Sequence, residues 1–207
     1  MTQKLSRRDA LAVTAGTAVA TLAGCLGEAA DDSRGEPPEN AGELGTPAAE
    51  LTVTITSEPW PEFTPQIVHV EPGATVEWLV ETGRHDVTAY HEDTRSFMHQ
   101  APHRTPDGVG PWRSDVLDGP GASYERTFDV EGVYDYVDKQ QVCVSHEVAG
   151  NVGRVVVGWP DPDDEPAMQP LTDEERSELP SQVKNAFEMF EEETRPVLEA
   201  GPEAAEQ

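Results

Sequence analysis

The sequence predicts an all-β domain, built as an antiparallel sandwich or barrel, with a helix at its C-terminal end. Short runs of β-branched and aromatic residues are separated by turns that contain Pro or Gly. Residues 51–158 show neither the apolar period of a helix nor a βαβ rhythm. Helix signals begin only after these residues. The length suffices for one domain with its own core and a small appendage.

The predicted strands follow one another through the first part of the domain. In the first strand, residues 51–56, apolar and polar side chains alternate, so the apolar ones point to one face. The further predicted strands are residues 67–70, 76–80, 87–89, 124–130, 134–136 and 155–157. Residues 91–121 interrupt these strands as a long loop, here called the long excursion. Loops of this length are usually functional or mobile.

Residues 160–207 are predicted to be an acidic linker and a C-terminal helix. The linker, residues 160–170, is rich in Asp and Pro. Thr172 and Glu175 have the spacing of a capping box, and Ser181 opens the main helical segment. The apolar face of this segment consists of Val183, Ala186, Phe187, Phe190, Val197 and Leu198. We expect this face to pack on the sandwich, and a partner-binding helix is the alternative.

Residues 1–24 have the features of a twin-arginine lipoprotein signal peptide. Arg7 and Arg8 precede an apolar stretch that is too short for a convincing membrane span. The stretch ends at Leu-Ala-Gly-Cys, which resembles the lipobox of secreted lipoproteins and makes Cys25 the lipidated residue. The prediction is an exported protein, anchored through Cys25 at the extracytoplasmic face of the cell membrane. Residues 25–49 then form a disordered acidic tether, because they hold few large apolar side chains.

The chain is strongly acidic, with a formal net charge of −26 from 40 acidic and 14 basic residues. This charge repels nucleic acid and anionic lipid headgroups, which excludes nucleic acid as a partner. The acidic residues are spread over the whole length, as is typical of halophilic proteins, whose self-repulsion is screened at high salt. An acidic docking surface for a basic partner is the alternative.

Cys143 carries the most chemical information. The chain has two cysteines, and lipidation of Cys25 would leave Cys143 without a disulfide partner outside the cell, where an exposed thiol oxidises. His146 follows three residues later, and His85 lies at a predicted strand end. One thiolate and two imidazoles suit copper in a blue-copper electron-transfer site. A buried structural thiol and a thiol enzyme are the alternatives, but no oxyanion motif accompanies Cys143 and His146.

Three segments resemble the plastocyanin-type cupredoxins: residues 70–78, 85–87 and 132–157. The last segment contains Gly-Val-Tyr-Asp-Tyr and Cys-Val-Ser-His. The three segments are most similar to the halocyanins, the membrane-anchored blue-copper proteins of haloarchaea. The resemblance implies a cupredoxin-like Greek-key β-sandwich over residues 50–159. It implies a one-electron carrier, not an enzyme, with one copper ion that cycles between Cu(I) and Cu(II) in a mononuclear type 1-like site. It also implies redox partner proteins at the outer surface of the membrane.

By this resemblance, His85, Cys143 and His146 are the equatorial copper ligands. Asn151 stands where the family has its axial methionine. Its amide oxygen is a candidate axial ligand, as a Gln is in some blue-copper sites. An ordinary turn residue between two glycines is the alternative reading of Asn151.

Other departures from the family pattern leave a second function open. Asp86 stands where the family has Asn or Ser, and Ser145 stands where it has Pro. Residues 137–142 intervene between the Tyr-x-Tyr pair and the cysteine. The second interpretation is a degenerate cupredoxin that serves as a copper-binding chaperone or as a non-redox interaction module.

A second metal site is conceivable among the histidines of the long excursion. His91, His99 and His103 lie within 13 residues of one another. Pro102 and Pro106 prevent a helix that would place them on one face. We therefore expect surface histidines there.

Overall fold

A computed structural model of the chain describes residues 38–94, 101–141 and 145–205. Its strands are β1 (Ala48–Thr56), β2 (Glu62–Thr64), β3 (Ile67–Val80), β4 (Arg84–His85), β5 (Thr88–Ala89), β6 (Leu117–Asp118), β7 (Ser123–Phe128), β8 (Gly132–Val137) and β9 (Val152–Val157). Its helices are α1 (His146–Ala149), α2 (Asp173–Glu178), α3 (Ser181–Ala200) and α4 (Pro202–Ala205), with a 3₁₀ turn at Pro166–Met168. The predicted all-β sandwich with a C-terminal helical appendage is confirmed.

The long strand β3 belongs to both layers of the sandwich. Its first residues pair with β9, and its last residues pair with β1 and β7. The change of partners occurs at residues 71–73, where Gly73 has a φ of +86°. The other layer continues from β9 to β8 and β5. The β1–β3 and β3–β9 pairs are parallel, unlike the predicted antiparallel arrangement, because the chain crosses over between these strands.

An aromatic core fills the space between the layers. Trp78 is completely buried and lies in ring contact with Trp112, Tyr124, Phe128 and Tyr136. In the second half of β3, alternate side chains are buried, as the period of a half-buried strand requires. Burial of each large apolar side chain contributes about 1.5–3 kcal/mol, so this cluster is a main source of stability.

The C-terminal helix packs on the sandwich through the predicted face. The capping box at Thr172 and Glu175 is present at the start of α2. On α3 the buried residues are Val183, Phe187, Phe190, Thr194 and Leu198. Three of them share an apolar cluster with Tyr90, Val137 and Val152. The sandwich is therefore the surface that the helix covers.

A buried ion cluster reinforces this contact. Asp135 on β8 accepts from Arg104 Nε at 2.7 Å and from Arg154 Nε at 2.7 Å. Both guanidinium groups also donate to the carbonyl of Ala167. Arg154 further donates to Thr194 of α3 at 3.2 Å. Part of the predicted acidic linker, residues 160–170, thus belongs to the packed structure.

The folded part begins earlier than the predicted boundary of the tether. Residues 38–47 form turns, and β1 starts at Ala48. His69 holds these turns in place: its Nδ1 accepts from the Gly45 N–H at 3.0 Å, and its Nε2 donates to the Gly158 carbonyl at 2.6 Å. The signal peptide and Cys25 lie outside the described residues. Among the helices that are described, none is long and apolar enough to cross a membrane.

Asp135→Asn is expected to lower the free energy of unfolding by about 3–5 kcal/mol, because it leaves two guanidinium groups buried without a counter-charge. Chemical denaturation at high salt, followed by tryptophan fluorescence, measures the loss. Glu188→Gln is the matched control, since Glu188 pairs with Arg176 at 3.4 Å on the surface, where such pairs contribute little. Equal losses in the two variants would contradict the buried role of Asp135.

His69 is expected to make stability depend on pH. Burial lowers the pKa of His69 below its ordinary value, and the carbonyl of Gly158 opposes this only in part. The unfolded chain therefore takes up a proton below about pH 6.5 that the folded protein resists. The free energy of unfolding consequently falls as the pH drops below that value. His69→Gln should make the decline less steep in denaturation curves recorded across this range, and an unchanged slope would refute the assignment.

Candidate metal centre

His85 enters the site from β4, and one of its ring nitrogens is already hydrogen-bonded outside the site. The strand pairs with β6, so that His85 lies opposite Leu117, and its side chain is completely buried. Its Nε2 lies 2.8 Å from the Thr82 carbonyl and 3.1 Å from the Ser57 hydroxyl. The carbonyl can only accept, so Nε2 carries a proton. Nδ1 is therefore the nitrogen that could bind a metal, once loss of its own proton frees the lone pair that a ligand requires.

His146 enters from the opposite side, on the loop between β8 and β9. It is the first residue of the one-turn helix α1, whose N-cap is Ser145. Gly150 ends this turn in the left-handed conformation, with a φ of +88°. The His146 N–H donates to the Gln140 carbonyl, and the His146 carbonyl accepts from the Asn151 N–H, both at 3.0 Å. His146 is buried, and its ring centroid lies 5.0 Å from that of His85.

Between the two imidazoles lies the carboxylate of Asp138, the residue that directly follows β8. Its Oδ2 is 2.6 Å from Nδ1 of His85 and 2.6 Å from Nδ1 of His146. The same oxygen accepts from Asn151 Nδ2 at 3.0 Å. Its Oδ1 accepts from the backbone N–H groups of Asp86 and Gln140. The carboxylate is completely buried and is held from five directions.

The electrostatics of the site favour a charged Asp138. Burial is the largest single influence and by itself raises the pKa of this carboxyl, but hydrogen bonds and charge from His146 and His85 outweigh it and lower the pKa. For His85, burial by itself lowers the pKa. The hydrogen bond and charge of Asp138, with support from the Thr82 carbonyl and Asp86, raise it above its ordinary value. At the centre, the carboxylate of Asp138 therefore lies between the imidazoles of His85 and His146.

These donors fit a mononuclear transition-metal ion. The ligand atoms of His85, Asp138 and His146 all lie within 4.8 Å of one another. Imidazole nitrogens suit copper, zinc and iron, and a carboxylate oxygen is a harder ligand for the same ions. Asn151 is also completely buried, and its Oδ1 has no hydrogen-bond partner among the described residues. Such an oxygen is costly unless another group satisfies it.

Three of the four predicted ligands, His85, His146 and Asn151, therefore meet at one point. Cys143 lies outside the described residues. Asp138 was missed as a site residue, although the sequence contains a signal. Asp138 follows Tyr136 by two residues. The family has its cysteine at about this distance after its own Tyr-x-Tyr pair.

Asp86, the other departure noted in the sequence, holds the segment after Asp138. Its Oδ1 accepts from the Lys139 N–H at 3.0 Å, and its Oδ2 accepts from Gln140 Nε2 at 2.5 Å. Its Oδ1 also accepts from the Thr88 hydroxyl at 3.0 Å. These bonds fix the direction in which the chain leaves the metal centre.

The histidines of the long excursion form a separate cluster. His91 and His103 have ring centroids 5.0 Å apart, and His103 is hydrogen-bonded to Glu92. Nδ1 of His91 accepts from the Asp93 N–H at 3.1 Å. His99 lies outside the described residues. His91 is buried rather than on the surface as expected.

The sequence matches a protein family and a curated relative. Residues 49–158 match the family described as copper binding proteins, plastocyanin/azurin family. The relative is a halocyanin of Natronomonas pharaonis, 33% identical over 97 residues, which are 46% of this chain and 47% of that protein. The chain thus spans about half the length of this relative.

Solved structures that match the chain include two pseudoazurins and a purple cupredoxin. A pseudoazurin from Sinorhizobium meliltoi aligns with 70% of this chain and 98% of its own, at 18% identity and a TM-score of 0.46. For a pseudoazurin from Methylobacterium extorquens AM1 the shares are 68% and 98%, at 20% identity and a TM-score of 0.45. A purple cupredoxin from Nitrosopumilus maritimus covers 52% of this chain and 99% of its own, at 18% identity and a TM-score of 0.37.

Gly83→Ala is expected to weaken copper binding, because it displaces His85. Gly83 has a φ of +94°, and an added Cβ would lie 2.9 Å from Nε2 of His85 and overlap the side chain of Ser57. Gly73→Ala is the matched control, since Gly73 has a φ of +86° with no atom within 4 Å of the added Cβ. Both changes should cost about 1–3 kcal/mol of backbone strain.

Only Gly83→Ala should also lower the affinity for copper, by about 10-fold or more. Competition with a chelator of known affinity measures this change. Equal affinities in the Gly83 and Gly73 variants would show that the contact between this turn and His85 does not position the ligand.

Proposed function

The chain belongs to the plastocyanin/azurin family of copper-binding proteins, and we propose that its β-sandwich domain is a one-electron carrier with a single copper ion. The observation that carries the proposal is the convergence of two buried Nδ1 atoms, from His85 and His146, on one point. His85 and His146 would hold the copper ion, which would supply a one-electron couple between Cu(II) and Cu(I) for exchange with a donor and an acceptor protein. The proposal includes no catalytic step.

The surrounding residues suit this task because they hold the imidazoles in place. The Thr82 carbonyl keeps the proton of His85 on Nε2. The Gln140 carbonyl and the Asn151 N–H fix the backbone of His146. Burial excludes water from the site and limits rearrangement. A ligand geometry that is rigid in this way changes little between two oxidation states, which favours rapid electron exchange.

We place the carrier at the outer face of the cell membrane, tethered by a lipid on Cys25. The sequence of residues 1–25 supports this placement, since the twin-arginine pair, the apolar stretch and the lipobox occur in the order that export requires. The net charge of −26 supports a high-salt environment. The partners in this proposal are redox proteins at the same surface.

A specific observation favours a second candidate function, a copper-binding protein whose copper does not change oxidation state. The oxygen of Asp138 lies between the two imidazoles, and hard oxygen ligands stabilise Cu(II) relative to Cu(I). A site of this kind would hold or deliver copper as a chaperone does, or would serve a non-redox interaction module.

Copper titration of the full chain in high salt tests the proposal. We expect one tightly bound copper ion per chain and a reversible one-electron wave in voltammetry. His85→Gln and His146→Gln should each lower the affinity by about 100-fold or more, because each removes a ligand outright. His103→Gln, in the separate histidine cluster, is the matched control and should leave the affinity unchanged.

The outcomes separate the two candidate functions. Loss of affinity in the His103 variant alone would contradict the assignment of the site. Tight binding through His85 and His146 without a reversible wave would favour the second candidate function over the electron carrier.

A further inference from the structure

We propose that Asp138, and not Cys143, supplies the third strong copper ligand, so that the centre is a carboxylate–bis-imidazole site. The inference rests on the proposed copper binding and specifies the donor set of that same site. Its starting point is the position of Asp138 in the chain. Tyr134 and Tyr136 of β8 point into the aromatic core, and the period of two along a strand carries Asp138 to the same face.

The register of the last two strands keeps Asp138 at the metal centre. Val137 pairs with Val152, and the Asp138 N–H donates to the Asn151 carbonyl at 3.1 Å. Asp138 thus continues the ladder of β8 by one residue. Its side chain is fixed by the sheet, and a donor placed by a sheet is held more precisely than one placed by a loop.

The contacts of Asp138 have the form of a metal site. Nδ1 of His85 and Nδ1 of His146 both lie 2.6 Å from a single oxygen, Oδ2. A bound cation would take the place of the protons between these atoms. The buried Oδ1 of Asn151 lies on the amide group that donates to the same oxygen. It is therefore available as a fourth, weaker donor.

The carboxylate changes the chemistry of the site but not its charge. Asp138 and a thiolate each contribute one negative charge, so that Cu(II) is neutralised to the same extent in either case. Oxygen is a harder ligand than sulfur and favours Cu(II) over Cu(I). An intense visible absorption arises from charge transfer between sulfur and copper, and a carboxylate site lacks it. We therefore expect a pale centre with the wide copper hyperfine splitting of ordinary Cu(II) sites.

Spectroscopy of the copper-loaded full chain tests the inference, with Cys25→Ser present so that Cys143 is the sole thiol. We expect weak visible absorption and wide hyperfine splitting in electron paramagnetic resonance. Adding Cys143→Ser should leave both spectra and the copper affinity unchanged. Adding Asp138→Asn should lower the affinity by about 100-fold or more. Asp138→Cys together with Cys143→Ser should produce the intense band, because a thiolate then faces the two imidazoles.

A matched control accounts for effects on folding. Glu165→Gln makes the same change at another buried acid, which accepts from the Val133 N–H at 2.8 Å. Circular dichroism of the metal-free Glu165 and Asp138 variants shows whether each is folded, and the Asp138→Cys variant provides an independent gain of signal. An intense band in the parent chain that disappears with Cys143→Ser would overturn the inference and leave the copper carrier standing. Failure of the parent chain to bind copper would overturn both.

Discussion

The buried carboxylate of Asp138 is the group on which the arrangement of the metal centre depends. A carboxylate removed from water is costly unless hydrogen bonds and opposite charge compensate for the lost hydration. The compensation comes from separate parts of the chain: His85 on β4, His146 on α1 and Asn151 just before β9. One satisfied acid therefore fixes these parts relative to one another, and the imidazoles are aligned by the same contacts.

The strand β8 links this centre to the rest of the molecule through two acids on opposite faces. Asp138 points with the tyrosines toward the aromatic core and the metal centre. Asp135 points toward the helical side, where Arg104 and Arg154 meet it. Both acids are buried and matched by cationic or hydrogen-bonding groups. In a chain of net charge −26, these two buried acids position the helix and the centre.

The function depends on which donor joins the two imidazoles. Family membership and the convergence of His85 and His146 support copper. A thiolate from Cys143 would make the centre a blue-copper carrier, whereas the oxygen of Asp138 would hold copper as Cu(II) more firmly. The residues inserted after β8 matter for this reason. In the family the cysteine follows the Tyr-x-Tyr pair closely, at the end of this strand. In this chain Asp138 occupies that place, and Cys143 comes five residues later.

The sequence by itself determined the longer strands, the capping box, the apolar face of α3, the family and the two histidines, because all of these follow from local periodicity, capping chemistry or motif. It missed the short strands β2 and β6. It did not reveal that β3 serves both layers, that part of residues 160–170 is packed, or that Asp138 lies at the centre. These features depend on which residues meet across the fold: His85 and Asp138 are 53 positions apart. Only the tertiary structure decides such meetings, since the register of β8 with β9 and the placement of β4 together bring the acid between the imidazoles.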